Sequence, residues 1–226
     1  MKVTYYGHAC FAVEVGAKTL LFDPFIAGNQ LAKAVDKRAV PASYILISHA
    51  HFDHLADAAE IARRTGATII SNYEITVWFG KQGLEKVHPL NHGGAHNFDF
   101  GRVKLVNAIH SSSLPDGSYG GNPGGFVVES AEGNFYYSGD TALTMDMKLI
   151  GESSRLKFAA LPIGDNFTMG TDDAIKAADF VRCNHVLGLH FNTFAPIQVD
   201  TQAAVAQFKA AGKQLRLLQP GESCDF

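Results

Sequence analysis

Short runs with the two-residue period of strands alternate along this chain with stretches at helical spacing. Lys2–Tyr6, Phe11–Val15 and Thr19–Phe22 predict strands joined by tight turns at Gly7 and Gly16. Tyr44–Ser48, β-branched at Ile45 and Ile47, predicts a buried strand. Leu55–Thr65 spaces Leu55, Ala58, Ala59 and Ala62 along one helical face and stops at Gly66, a glycine suited to cap a helix. Ala67–Ser71 predicts a strand and Tyr73–Gln82 a helix ended by Gly83. In the middle, Phe98–Gly101, Val103–Ile109, Gly125–Ser130 and Phe135–Ser138 predict strands, with Glu132-Gly133-Asn134 as a turn. Between two of them Ser111–Gly125, rich in Gly, Ser, Asn and Pro, predicts a loop of a length usually kept for function. The last third predicts strand Lys157–Leu161, helix Asp172–Cys183, strand Val186–Leu189, helix Thr201–Ala211 ended by Gly212, and strand Gln214–Leu218.

Strand–helix–strand units in both halves, with antiparallel strands between them, fit two sheets packed face to face with helices outside. The expected class is α/β (α+β), built as a four-layer αββα sandwich. No linker, low-complexity segment or short-period repeat interrupts the pattern, so a single domain is expected over 1–226. Composition changes this picture little: 46% of the 226 residues are hydrophobic and 18% charged, the balance of an ordinary globule. A formal net charge of −3 provides no general footprint for nucleic acid. No run approaches the ~18 apolar residues of a membrane-spanning helix. His8 and Glu14 interrupt the first residues, which lack the layout of a signal peptide, so a cytoplasmic location is expected. Cys10, Cys183 and Cys224 are too few and too far apart for a disulfide framework or a Cys-x-x-Cys zinc site.

The ten histidines change the picture more. His49-Ala50-His51-Phe52-Asp53-His54 follows a predicted strand and precedes a predicted helix, so its side chains sit on a loop held by a rigid scaffold. His49 and His51 can turn to one metal ion, and Asp53 and His54 to a second a few ångströms away. Imidazole and carboxylate donors suit Zn²⁺ and also Mn²⁺, Fe²⁺ or Ni²⁺. Three further candidates follow apolar β runs in the same way: His110 after Val103–Ile109, Asp140 after Phe135–Ser138, and His190 after Val186–Leu189. Strand ends converging on one rim would gather them with the first four.

The order His-x-His-x-Asp-His, then His110, then Gly139-Asp140-Thr141, then His190 resembles the metallo-β-lactamase superfamily of dinuclear hydrolases, over nearly the whole chain. Gly7-His8-Ala9-Cys10-Phe11, Leu21-Phe22-Asp23-Pro24-Phe25 and the segment from Pro162 to Gly170 are similar to its small metal-dependent hydrolases, near the ascorbate-6-phosphate lactonase branch. The resemblance implies that His49, His51 and His110 hold one metal, that Asp53, His54 and His190 hold the other, and that Asp140 bridges both. It also implies that Asp23 fixes the tautomer of a ligand imidazole and that His8 lies close to the metals. Asn122 and Asn166, on the two candidate pocket loops, are possible oxyanion donors.

Two ions ~3.5–4 Å apart acidify a shared water to hydroxide near neutral pH and polarise the bond under attack. Asp53 would orient that hydroxide, and no serine or cysteine nucleophile is needed. The expected function is hydrolysis of a small ester, lactone or phosphodiester. Two alternatives stay open: a phosphodiesterase acting on nucleic acid or phospholipid head groups, and a binding protein whose metals only stabilise the fold. Seven ligands shared by two ions leave open coordination positions, which weighs against the last. A small-molecule substrate is the expected partner, without a membrane. Substrate, physiological metal and homo-oligomeric state are left open by the sequence.

Overall fold

The computed structural model describes residues 1–226. The opening strands form where alternation predicts them. β1 (Lys2–Gly7), β2 (Cys10–Val15) and β3 (Lys18–Phe22) make an antiparallel meander. β3 then runs parallel to β4 (Tyr44–Leu46), which is followed by the short helices α1 (Phe52–Leu55) and α2 (Ala58–Thr65). β5 (Thr68–Asn72), α3 (Tyr73–Lys81) and β6 (Val87–Leu90) continue the parallel set. The second sheet opens with a hairpin of β7 (Ala95–Phe98) and β8 (Gly101–Asn107), then β9 (Gly124–Ser130) and β10 (Gly133–Tyr137). Helical crossovers follow: α4 (Met147–Ser153) to β11 (Leu156–Pro162), α5 (Thr171–Phe180) to β12 (His185–Leu189), and α6 (Thr201–Ala210) to β13 (Gln214–Arg216). The last strand, β14 (Ser223–Asp225), returns to the first sheet beside β1. The sheets run β14-β1-β2-β3-β4-β5-β6 and β13-β12-β11-β10-β9-β8-β7.

Alternation along each strand separates three apolar layers. Phe11, Phe22, Phe126, Phe135, Tyr137 and Phe158 fill the space between the sheets. Leu21, Ile45 and Ile69 face outward under Ile61 of α2 and Phe79 of α3. Tyr136, Ala159 and Val186 face outward under Met147, Ala177 and Phe208 of α4 to α6. The result is the four-layer αββα sandwich that the pattern predicts. No helix is long and apolar enough to cross a membrane.

Strand direction places the site. β1 and β3 are each antiparallel to β2 and therefore point the same way, as does β4. In the second sheet β8 and β10 are each antiparallel to β9, and β11 and β12 run parallel to β10. Hence His8, Asp23 and the segment from His49 follow the C-terminal ends of β1, β3 and β4. His110, Asp140 and His190 follow those of β8, β10 and β12.

Two predicted elements are corrected. The helix expected over Leu55–Thr65 is broken at Ala56 and Asp57. Asp57 is buried there and accepts the backbone N–H groups of Ile26 (2.6 Å) and Ala27 (2.9 Å), with Lys37 Nζ at 3.1 Å. This tertiary anchor outweighs helical continuity and fastens α2 to the loop after β3. The strand expected over Phe98–Gly101 is a hairpin turn, in which Phe98 pairs with Gly101. Gly101 has φ +144°, and a Cβ there would lie 2.2 Å from the Glu129 carbonyl, so only glycine fits the corner. β6, α4 and β14 carry too few periodic positions to stand out in the pattern.

Candidate metal centre

The strand ends bring their polar residues together in two adjoining groups of donor atoms. His49, His51 and His110 form one group, and His8, Asp53, His54 and His190 the other, with donor atoms within 4.8 Å of one another in each. Asp140 lies between them: its Oδ2 is 2.9 Å from His190 Nε2, 3.3 Å from His54 Nε2 and 3.7 Å from His110 Nε2. His8, Asp23, His49, His54, Asp140 and His190 are buried, while His51, Asp53 and His110 keep partial exposure. The cluster is therefore open on the His51–Asp53–His110 side.

Asp23 decides how two of the imidazoles are protonated. Its Oδ2 accepts from His54 Nδ1 (2.7 Å), Ser48 Oγ (2.5 Å) and the Tyr137 hydroxyl (2.5 Å), and its Oδ1 accepts from the Ser48 backbone N–H (2.7 Å). A carboxylate only accepts, so His54 Nδ1 carries a proton and Nε2 is the nitrogen turned into the cluster. The single hydroxyl proton of Ser48 is given to Asp23. Ser48 Oγ, 2.9 Å from His49 Nδ1, must then accept from it, which leaves His49 Nε2 as a lone pair aimed at His51 Nδ1, 2.9 Å away. One carboxylate thus sets the tautomer of a histidine in each group, directly for His54 and through Ser48 for His49.

The same reasoning gives His8 a different part. Its Nε2 donates to Asp53 Oδ2 at 2.9 Å, and its Nδ1 faces Thr193 Oγ1 at 2.9 Å. Burial pushes the His8 imidazole down to about 4, with His190 adding to the shift, so it is neutral and its one proton goes to Asp53. His8 buttresses Asp53 and offers no lone pair on that side.

The donor set fits divalent ions. His54 Nε2 is buried 3.3 Å from Asp140 Oδ2. Burial lowers the His54 imidazole, but Asp140, Asp23 and Asp53 outweigh it and hold it well above its usual value, so without a metal a proton on Nε2 faces the Asp140 carboxylate. A divalent cation held between the two would take the place of that proton. Burial raises the Asp140 carboxyl, but His190 and His54 outweigh it and hold Asp140 well below the usual carboxylate range. Burial likewise raises Asp53, and His54 and His8 together bring it below its ordinary value. His49 is held well below its usual value by burial and by His54. His51 is lowered by the same two causes, and His110 chiefly by burial. Ionised carboxylates and neutral imidazoles are the states in which these side chains ligate metals.

Asn122 and Asn166 are not joined to the cluster by any hydrogen bond. Asn122 Oδ1 is taken by the Tyr119 hydroxyl at 2.6 Å, and Asn166 sits exposed in a turn with φ +50°. Ser48, Tyr137 and Thr193 are the polar partners that sequence reasoning did not single out. Ser48 directly precedes His49, and Thr193 lies three residues after His190, but neither residue type is distinctive enough to be read as a partner.

An αββα sandwich whose strand ends gather six histidines, Asp23 and Asp53 around the Asp140 carboxylate defines a metallo-β-lactamase-fold hydrolase. The family model described as the β-lactamase superfamily domain matches residues 2–190, and the chain belongs to that family. Its relatives include UPF0173 metal-dependent hydrolases of Flavobacterium johnsoniae, 54% identical over 226 residues and 100% of both chains, and of Thermus thermophilus, 43% identical over 98% of this chain and 97% of the other. The metallo hydrolase Igni18 of the archaeon Ignicoccus hospitalis has a solved structure with TM-score 0.90 and 35% identity, covering 100% of this chain and 98% of its own. An isothiocyanate hydrolase from Delia radicum gut bacteria shares the fold at TM-score 0.77 and 17% identity, over 100% and 99% of the two chains. The chain is accordingly a metal-dependent hydrolase.

Proposed function

We propose that this hydrolase uses two divalent ions, Zn²⁺ by the imidazole-rich donor set, to cleave a small ester, lactone or phosphodiester. The observation that carries the reading is Asp140, whose single Oδ2 approaches histidines of both donor groups. His49, His51 and His110 would hold one ion, Asp53, His54 and His190 the other, and Asp140 both. Ions so held would supply a water acidified toward neutral pH and positive charge for the developing oxyanion. Asp23 keeps Nε2 of His54 and of His49 directed into the cluster. His8 fixes Asp53 through Oδ2, while Asp53 Oδ1 makes no hydrogen bond and is available to accept from the attacking water. Net reaction adds water across the acyl–oxygen or phosphoryl–oxygen bond: the water oxygen joins carbon or phosphorus, and the departing oxygen takes a proton.

The test pairs metal counting with turnover. Wild type and Asp140→Asn are saturated with zinc, freed of excess, and analysed by inductively coupled plasma mass spectrometry. Both are then assayed on an acyl lactone, a phosphodiester and a thioester. Two ions per wild-type chain, fewer in the variant, and turnover by wild type alone are expected. One ion per chain, or equal rates for the two proteins, sinks the reading.

A further inference from the structure

Two features of the rim point the same way. The first is a gap in charge. No Lys or Arg occurs in segments 3–17, 19–32, 39–62, 105–147, 158–175 or 183–208, which together carry every residue of the cluster and both flanking loops. Asp140 has only histidines as ion-pair partners, and so has Asp53. The loops beside the cluster, 111–125 and 165–170, carry Asp116 and Asp165 and no cation. A phosphate or carboxylate on the body of a substrate is ordinarily gripped by Arg or Lys; the segments that carry the cluster and its loops hold neither, and Lys81 of α3, whose charge adds to the Ser118 hydrogen bonds in lowering the Asp116 carboxyl, is already set against that carboxylate.

The second feature is an aromatic bracket beside the reacting end. Phe52, 62% exposed, stands between His51 and Asp53. Its ring meets the buried Phe25 edge-on at 5.6 Å, and Phe25 in turn lies 6.4 Å from Phe194. Phe194, 38% exposed, packs edge-on at 5.3 Å against His8, the residue that holds Asp53. Ile109, 52% exposed, immediately precedes His110 on the other flank. Large apolar side chains left in water beside an open site are surfaces for something apolar.

We infer that the substrate is an uncharged carboxylic ester, open-chain or cyclic, with an apolar alkyl or aryl body seated on Phe52 and Phe194. The inference rests on the hydrolase reading above and narrows it. Water adds to the ester carbonyl carbon, the acyl–oxygen bond breaks, and an acid and an alcohol leave. The apolar body is bound without any charge outside the scissile group.

Zinc-loaded wild type and the double variant Phe52→Ala/Phe194→Ala are compared on three compounds. These are 4-nitrophenyl hexanoate, the same ester carrying a phosphate on carbon 6, and bis(4-nitrophenyl) phosphate. Zinc content is measured on every preparation. Binding of the inert ketone 4-nitrobenzyl pentyl ketone is followed by calorimetry, and oligomeric state by sedimentation. The expected result is preference for the uncharged ester, with KM raised at least tenfold in the variant, about 1.4 kcal/mol, at unchanged zinc content. Ketone affinity should fall by a similar factor. Preference for the phosphorylated ester or the phosphodiester overturns the inference, as does an unchanged KM or a wild-type dimer that the variant loses. If neither protein hydrolyses any compound, the hydrolase reading fails on this panel and the ketone still decides: binding lost in the variant supports the aromatic seat, and binding that is absent or unchanged overturns it.

Discussion

Asp23→Asn tests the tautomer scheme at its source. The carboxylate accepts four hydrogen bonds, three on Oδ2 and one on Oδ1. An asparagine in the same place has one accepting oxygen and one donating NH₂. If its oxygen replaces Oδ2, the NH₂ meets the Ser48 backbone N–H, donor against donor at a position now spanned by 2.7 Å. If the amide is flipped, the NH₂ meets three donors. The first arrangement is the milder and still strands one buried N–H, at a cost of about 1–3 kcal/mol. The metal-free variant should therefore unfold at lower urea concentration by that amount, with an unchanged slope. Zinc affinity is a separate readout. A neutral amide is a weaker acceptor for His54 Nδ1 and for the Ser48 hydroxyl that orients His49. Removing such partners of a ligand costs roughly 10–100-fold in metal affinity, which competition with a chromophoric chelator measures directly. Ser48→Ala is the control: it cuts the path to His49 and leaves the direct bond to His54, so it should weaken one ion more than the other. An Asp23→Asn protein that is less stable but binds both zinc ions within twofold of wild type would refute the scheme and reduce Asp23 to a packing role.

Two further outcomes follow from the surroundings of the cluster. Asp57→Ala leaves the backbone N–H groups of Ile26 and Ala27 without their acceptor, and should cost about 3 kcal/mol in urea unfolding; a loss below about 0.5 kcal/mol would show that α2 is not fastened this way. Gly164→Ala would place a Cβ 2.0 Å from the His190 carbonyl. It should shift His190 and destabilise the fold by about 1–3 kcal/mol, lowering zinc affinity at the same time; unchanged affinity in the zinc competition assay would refute the coupling.

The cluster of candidate donors was legible because metal chemistry uses few residue types and strand periodicity says where each sits. His49 to His54, His110, Asp140 and His190 all follow apolar β runs, and the common direction of β8, β10 and β12 in one sheet brings their ends to one rim, where the segment after β4 of the other sheet meets them. Asp23 stood out by its place before Pro24 in a segment similar to known hydrolases. The partners that give Asp23 its effect did not. Tyr137 has the inward phase of β10 and reads as one more core aromatic, although its hydroxyl reaches a carboxylate 114 positions away in sequence. The break between α1 and α2 was hidden for a related reason: Asp57 is an unremarkable helical residue until it meets the backbone of Ile26. Asn122 accepts the Tyr119 hydroxyl on Oδ1, which leaves its amide N–H groups, the ones an oxyanion would use, outside that bond. Local pattern fixes phase and element type, whereas partners far apart in sequence are settled only by packing.

Backbone strain explains why the cluster resists simple repair. His8, Asp23 and His190 have φ of +57°, +39° and +55°, and each directly follows the end of a strand or its first turn. Non-glycine residues held there cost about 1–3 kcal/mol each and persist only where neighbours over-determine them. The neighbours are visible. The His190 N–H donates to the His8 carbonyl at 2.9 Å, tying the end of β12 to the end of β1 across the two sheets, and the Tyr5 hydroxyl donates to the same carbonyl. The hydrogen bonds on Asp23 secure the third position. Because these bonds hold the strained backbone and the ligand orientation together, substitutions inside the ring should lower stability and metal affinity in parallel. Phe52 and Phe194 lie outside it. Neither makes a hydrogen bond to the cluster, so on the inference above substitutions there should change substrate binding more than zinc content, with Phe194 the more sensitive of the two because its ring packs on His8.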